Sequence, residues 1–246
     1  MLVPSLSELL IKEQEKDHKK CLDYYKKLKL NEGNFSADNT ALFRRVHGFA
    51  FSLGLWLSKV EEDKNPANIY LYEIRSDAIQ LLPAIVLGNR RSLRLYERAH
   101  IEDILRYIFY HDHPIEHQLL QLEPKSYANL DVLFSWVKRH PLFRSDLGSL
   151  EPCLDFLHST YAELSRSVHT TTNNELELSS AVTLLHSPIE AATLELVKLQ
   201  TIFESVTFLL SRFQKEIYLR FDLNERALVS QFLSKSQKKV LAGLKQ

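Results

Sequence analysis

The chain has 246 residues, 45% hydrophobic and 25% charged, far from the low-hydrophobicity, high-charge mixture that stays disordered. Lys plus Arg and Asp plus Glu balance at 31 each, so no net field draws the molecule onto nucleic acid or an acidic membrane, and such binding needs a local patch. The glycines, Gly33, Gly48, Gly54, Gly88, Gly148 and Gly243, stand singly, which excludes the clustered-glycine loops of Walker and Rossmann nucleotide sites.

The first predicted helix runs from Leu6 to Leu28, with Ser5 three residues before Glu8 as its capping signal. Its early Lys- and Glu-rich course is unlike a secretory leader. A second apolar stripe spans Thr40 to Val60. Asn65 before Pro66 marks the start of a third, Ile69 to Leu87, and a fourth covers Leu93 to Phe109. His113 before Pro114 opens a further helix; stripes at Leu130 to Val137 and Leu150 to Val168 follow. After the polar run Thr170 to Asn174, the alternation from Glu175 to Leu178 reads as a short strand or a loop. Ser187, Pro188 and Glu190 then announce a long stripe from Ile189 to Phe213, whose charges Glu190, Glu195, Lys198 and Glu204 argue against a membrane span. Asp222 with Glu225 starts the last segment, to Leu244.

The expectation is therefore an all-α bundle of seven to nine helices in a single helical domain, 1–246. Within it, 1–62 forms an N-terminal helical hairpin, 66–220 the core bundle and 222–246 a C-terminal helix. The linkers are short, no internal repeat is present, and the two end segments carry apolar stripes with basic outer faces suited to a second copy or a partner protein. Cys21 and Cys153 fit neither a disulfide framework nor a metal spacing, so a cytoplasmic protein without a cofactor is expected.

Three clusters could carry chemistry. In the first, Arg90, Arg91, Arg94 and Glu97 sit on a strongly apolar helix, with Arg94 and Glu97 three apart and able to touch; the same run reads equally as a solvated face laced with ion pairs. In the second, Tyr161, Ser165 and His169 recur every four residues on one helix face beside Arg166, a proton-transfer surface or simply a histidine at a helix C-terminus. The third is the histidine-dense run His111, His113 and His117, a conceivable metal site that matches no zinc spacing and that also reads as a helix junction. No Gly-x-Ser-x-Gly elbow is present. The lysine patches near Tyr24 and at the carboxyl end are diluted by acids and read as solvated faces.

A helix of the form Arg-x-x-Arg-x-x-Glu (Arg91, Arg94, Glu97) followed by one ending Tyr-x-x-x-Ser-x-x-x-His (Tyr161, Ser165, His169) resembles HEPN-type all-helical domains and their uncharacterised bacterial relatives over about the middle half of the chain. The resemblance implies a HEPN-like core with extra terminal helices, homodimers, and a ribonuclease or toxin effector of a bacterial antiviral defence system that cleaves RNA without metal. It implies His169, Arg94 and Glu97 as catalytic residues and Arg90, Arg91, Tyr161, Ser165 and Arg166 around the RNA. The family's signature sets an arginine a few residues before a histidine; Arg94 to His100 has that gap, while Arg166 to His169 is shorter. The other reading, from a different class, is a non-catalytic helical subunit of a larger complex whose Arg–Glu–His cluster is a structural polar network.

Overall fold

In the computed structural model, residues 6–27, 37–87, 89–123, 125, 127–169 and 192–244 are described, and among them the secondary structure is wholly helical. The long elements are α1 (Leu6–Lys27), α2 (Ala37–Val60), α3 (Asn68–Val86), α4 (Arg90–Asp112), α7 (Leu147–His169) and α8 (Ala192–Phe213). Shorter ones are α5 (Pro114–Leu122), α6 (Leu130–Arg139), α9 (Lys215–Arg220), α10 (Leu223–Ser230) and α11 (Lys235–Ala242). Each predicted stripe up to residue 169 lies, to within a residue at its ends and over its described residues, on one of these helices. The strand-or-loop segment Glu175 to Leu178 and the Ser187–Glu190 capping signal lie outside the described residues.

Eleven helices rather than seven to nine are found among the described residues, because a second cap divides the C-terminal segment and a short helix follows the stripe that ends at Phe213. Asp222 and Glu225 form the expected capping box of α10, but Ser234 and Gln237 form a second box that starts α11, so the C-terminal segment is two helices. α8 stops at Phe213, and α9 resumes after Gln214, whose side chain is bonded elsewhere. α3 begins at Asn68, not at Pro66: the Asn65 side-chain carbonyl accepts from Ala67 N at 2.9 Å, and its backbone carbonyl accepts from Asn68 N at 3.0 Å, a local turn that delays the helix. Pro114 does open α5, where its missing N–H costs nothing.

Directions follow from paired residues. Phe49 of α2 stacks on Phe203 of α8 at 3.9 Å, and Trp56 further along α2 meets Phe221 beyond the end of α8, so these two helices run parallel. Tyr70 stacks on Tyr110 while Asn89 N bonds Ala84 O, which makes α3 and α4 an antiparallel hairpin. His100 meets Phe203 and Tyr107 meets Phe213, so α4 is parallel to α8. Cys153 lies beside Ser205, and Glu163 pairs with Lys198 at 2.9 Å, so α7 runs against α8 and therefore against α4.

α4 is the central element, packed by α3, α6, α7 and α8. A helix enclosed on most sides must bury whatever its sequence holds, and α4 buries Glu97, His100 and Asp103 among its apolar residues. The positions that need physical explanation are therefore polar ones on this helix.

Candidate functional site

The seam between α4 and α7 holds a linked set of charges. Arg98, Glu102 and Arg106 succeed one another at four-residue intervals, which stacks them on one face of α4. Glu102 Oε1 accepts from the Tyr161 hydroxyl of α7 at 2.6 Å and from Arg98 Nη2 at 2.9 Å, while Oε2 accepts from Arg106 Nη2 at 2.9 Å. The Arg98 guanidinium lies over the Tyr161 ring, 5.1 Å from its centroid. Desolvation, aided by the bond to Glu102, pushes the Tyr161 phenol up and keeps it a donor at neutral pH. One carboxylate thus organises two cations and a phenol from two helices.

Behind this seam, Arg106 Nη1 also donates to Asp103 Oδ1 at 3.1 Å. Burial pushes the Asp103 carboxyl up to about 7; Arg106 opposes the rise, and the Glu73 carboxylate of α3 adds to it. Asp77, one turn along α3 from Glu73, is raised to about 6, by burial first and then by Glu73. A raised carboxyl pKa means that the folded state prefers the proton. Stability from Asp103 is thus present below its ordinary pKa of 3.8 and is lost as pH rises through about 7. The isosteric Asp103→Asn variant is expected to gain on the wild type between these limits, by up to ~4 kcal/mol. Urea unfolding at pH 4.5, 6 and 8 measures this, and stability curves that stay parallel would show that Asp103 is ionised throughout.

The eight residues singled out from sequence are distributed as follows. Glu97 is fully buried on α4, Arg90 and Arg94 are half-buried, and Arg91 is exposed. Tyr161 and Ser165 are half-buried on α7, and Arg166 is exposed. His169 closes α7, but its side chain lies outside those described. Tyr161 is the one of the eight that the described contacts join to the other helix, and its partners are Arg98 and Glu102 rather than Arg94 and Glu97. His100, at the arginine–histidine gap noted above, is fully buried; its Nδ1 donates to Tyr96 O at 2.5 Å, and burial holds its pKa down at about 4.

The three histidines of the third cluster diverge. His113 donates from Nδ1 to Phe109 O at 2.7 Å and stacks on the Phe109 ring, whereas His117 packs edge-on to Tyr70 and Tyr110. His111 turns to Gln214 of the α8–α9 junction, whose Nε2 donates to Tyr107 Oη at 2.7 Å and to His111 Nε2 at 3.1 Å. No group of three metal-ligating side chains converges among the described residues. Instead Asp112 bridges two histidines, His140 at 2.7 Å and His111 at 3.5 Å. Leu142 N donates to His140 Nδ1, so Nε2 carries the proton that His140 gives to Asp112. Desolvation by itself would raise the Asp112 carboxyl, but the bonds to the two histidines outweigh it and hold the group below its ordinary value. This cluster ties α4 to the α6–α7 connection and to the end of α8.

Burial pushes the Cys153 thiol up to about 12, which disfavours the thiolate, and desolvation also raises Cys21. Among the described residues no helix is long and apolar enough to cross a membrane. The residues the sequence reading missed are Glu102 and Arg106, which continue the four-residue series that begins at Arg98. Their Arg-x-x-x-Glu-x-x-x-Arg spacing was a legible signal, whereas Tyr161 as their partner, 59 positions away, was not. Comparison with protein-family models, with curated proteins and with solved structures returned no match.

Proposed function

We propose that the protein is an RNA-cleaving helical effector of HEPN-like type, acting without metal where the end of α7 runs beside the first turns of α4. What supports this reading is the antiparallel course of the two helices around the Tyr161–Glu102 contact. Eight residues of α-helix rise about 12 Å, and this carries the α7 backbone on to residue 169 and the α4 backbone back to Arg94. In this reading His169 takes the proton of a ribose 2′-hydroxyl, whose oxygen attacks the adjacent phosphorus and expels the 5′-oxygen. Arg94 stabilises the charge that gathers on the phosphorane, and buried Glu97 orients Arg94. Exposed Arg91 and Arg166, with Arg90, hold neighbouring phosphates, while Tyr161 and Ser165 line the α7 side.

A second reading, a non-catalytic helical subunit, is favoured by one observation: the guanidinium groups of Arg98 and Arg106 are engaged by Glu102 and Asp103, as in a structural network. The two readings separate in one experiment. A labelled single-stranded RNA is incubated with the protein with and without chelator, alongside His169→Ala and Arg94→Ala variants. Chelator-insensitive cleavage that falls at least ~100-fold in both variants is the expected result. Intact RNA with the folded wild type would retire the nuclease reading and leave the scaffold.

A further inference from the structure

α1 lies across α2 and α10, and its packing leaves an open cavity along the seam. Positions 11, 14, 15 and 18 of α1 face positions 41, 44, 45 and 48 of α2 across a cavity of about 620 Å³ closed at one end by Gln231 and Phe232. Both sets follow the i, i+3, i+4, i+7 spacing of a helix's inward stripe, where apolar residues ordinarily interlock. Here the stripes carry Gln14, Glu15 and His18 against Arg44, Arg45 and Gly48. Gly48 keeps the wall thin: a Cβ there would stand 3.1 Å from Gln14 Nε2 and 3.4 Å from Phe232 Cζ.

The cations in this space are incompletely compensated. Among the described residues Arg44 pairs with one carboxylate, Glu15 at 3.4 Å, in an exposed pair of little strength. Arg45 is half-buried over the Phe232 ring, 5.8 Å from its centroid; Glu204 is its charged neighbour, and burial lowers its pKa. Arg45 Nε and His18 Nε2 are shut off from solvent with no hydrogen-bond partner among the described residues. His18 packs edge-on to His47, which is committed to Asp17 at 3.0 Å. A half-buried guanidinium beside an open cavity gains from an anion placed there, and the neighbouring apolar wall of Ile11, Leu228 and Phe232 gains from a non-polar body. The volume lies within the range of small-molecule sites.

We propose that the cavity between α1, α2 and α10 is a binding site for a small organic anion, a carboxylate or phosphate monoester on a flat apolar body, held by Arg44 and Arg45. The site is independent of the α4–α7 seam and stands whether or not the protein cleaves RNA. Its occupancy fastens α1 to the bundle, so ligand raises the melting temperature.

The test is calorimetric titration and thermal melting of the full chain with phenyl phosphate, benzoate, benzyl alcohol and benzylamine. Saturable binding of either anion is expected, at least ~10-fold tighter than of the alcohol or the amine, and the two anions compared tell a phosphate site from a carboxylate site. Arg44→Gln and Arg45→Gln are each expected to weaken it at least ~10-fold. Ala41→Trp obstructs the cavity from an exposed position on α2, where it does not threaten folding, and is expected to abolish binding. Equal affinity for anion and alcohol, undiminished binding by the Ala41→Trp variant, or no saturable heat with either anion would each overturn the proposal.

Discussion

Replacing Glu102 by alanine is expected to destabilise the fold by ~2–3 kcal/mol and to lower the melting temperature by roughly 5–10 °C. The carboxylate accepts from Tyr161, Arg98 and Arg106, and its own side chain is 16% exposed. Removing one member of a buried ionic network leaves the others desolvated without compensation, which costs ~3–5 kcal/mol when burial is complete. Arg98 and Arg106 keep 22% and 37% of their side-chain surface, so solvent screens part of that loss and the smaller figure applies. Glu102→Gln keeps an acceptor for the phenol but loses the charge, and should fall between the wild type and alanine. Tyr161→Phe combined with Glu102→Gln should show a coupling of ~1 kcal/mol in a double-mutant cycle. A loss below ~0.5 kcal/mol for Glu102→Ala in urea unfolding would mean that α4 and α7 are joined by apolar packing alone.

The second large effect is acid lability centred on His100. Its Nδ1–H is spent on Tyr96 O, and Nε2 is buried beside Phe49 and Phe203 with no hydrogen-bond partner among the described residues. Burial therefore holds the pKa down from 6.5 to about 4. A depressed histidine pKa means that the folded state disfavours the proton, so the stability it contributes is present above 6.5 and is lost as pH falls through about 4. Up to ~3 kcal/mol is expected to go over that window. Asp103 works in the opposite sense across the same range, so the net slope of the wild type is shallow, and the two effects are resolved by variants. His100→Leu should remove the acid loss and leave the Asp103 trend exposed. If wild type and His100→Leu lose stability in parallel from pH 6.5 to pH 4, the neutral buried imidazole is not what acid attacks.

Both effects arise on α4, which explains why only part of the site was legible beforehand. The Arg-x-x-Arg-x-x-Glu pattern drew attention to Arg91, Arg94 and Glu97 in the first two turns, yet the described contacts that cross to α7 form further along, at Arg98 and Glu102, with Arg106 bonded to Glu102 on α4 itself. Spacing on a helix tells which residues share a face, but several overlapping faces of α4 carry charges at three- and four-residue intervals. Which of them meets a neighbour depends on where α7 crosses. The histidine run illustrates the same limit: His111, His113 and His117 are close in sequence, but a proline-started helix turns the chain between them and sends each ring to a different partner. His140, which shares Asp112 with His111, lies 28 residues beyond that aspartate.

By itself the sequence determined the all-helical class, the course of the long stripes and the caps at Asp222 and Pro114, because these depend on residues within one or two turns of each other. The lone glycines likewise sufficed to exclude phosphate-cradling loops. Only the tertiary structure decided that α4 is enclosed, that Glu102 rather than Glu97 meets Tyr161, and that the seam under α1 is open and cationic. Those outcomes depend on which surfaces of distant helices come to face each other, and a helical period specifies a surface without specifying what packs upon it.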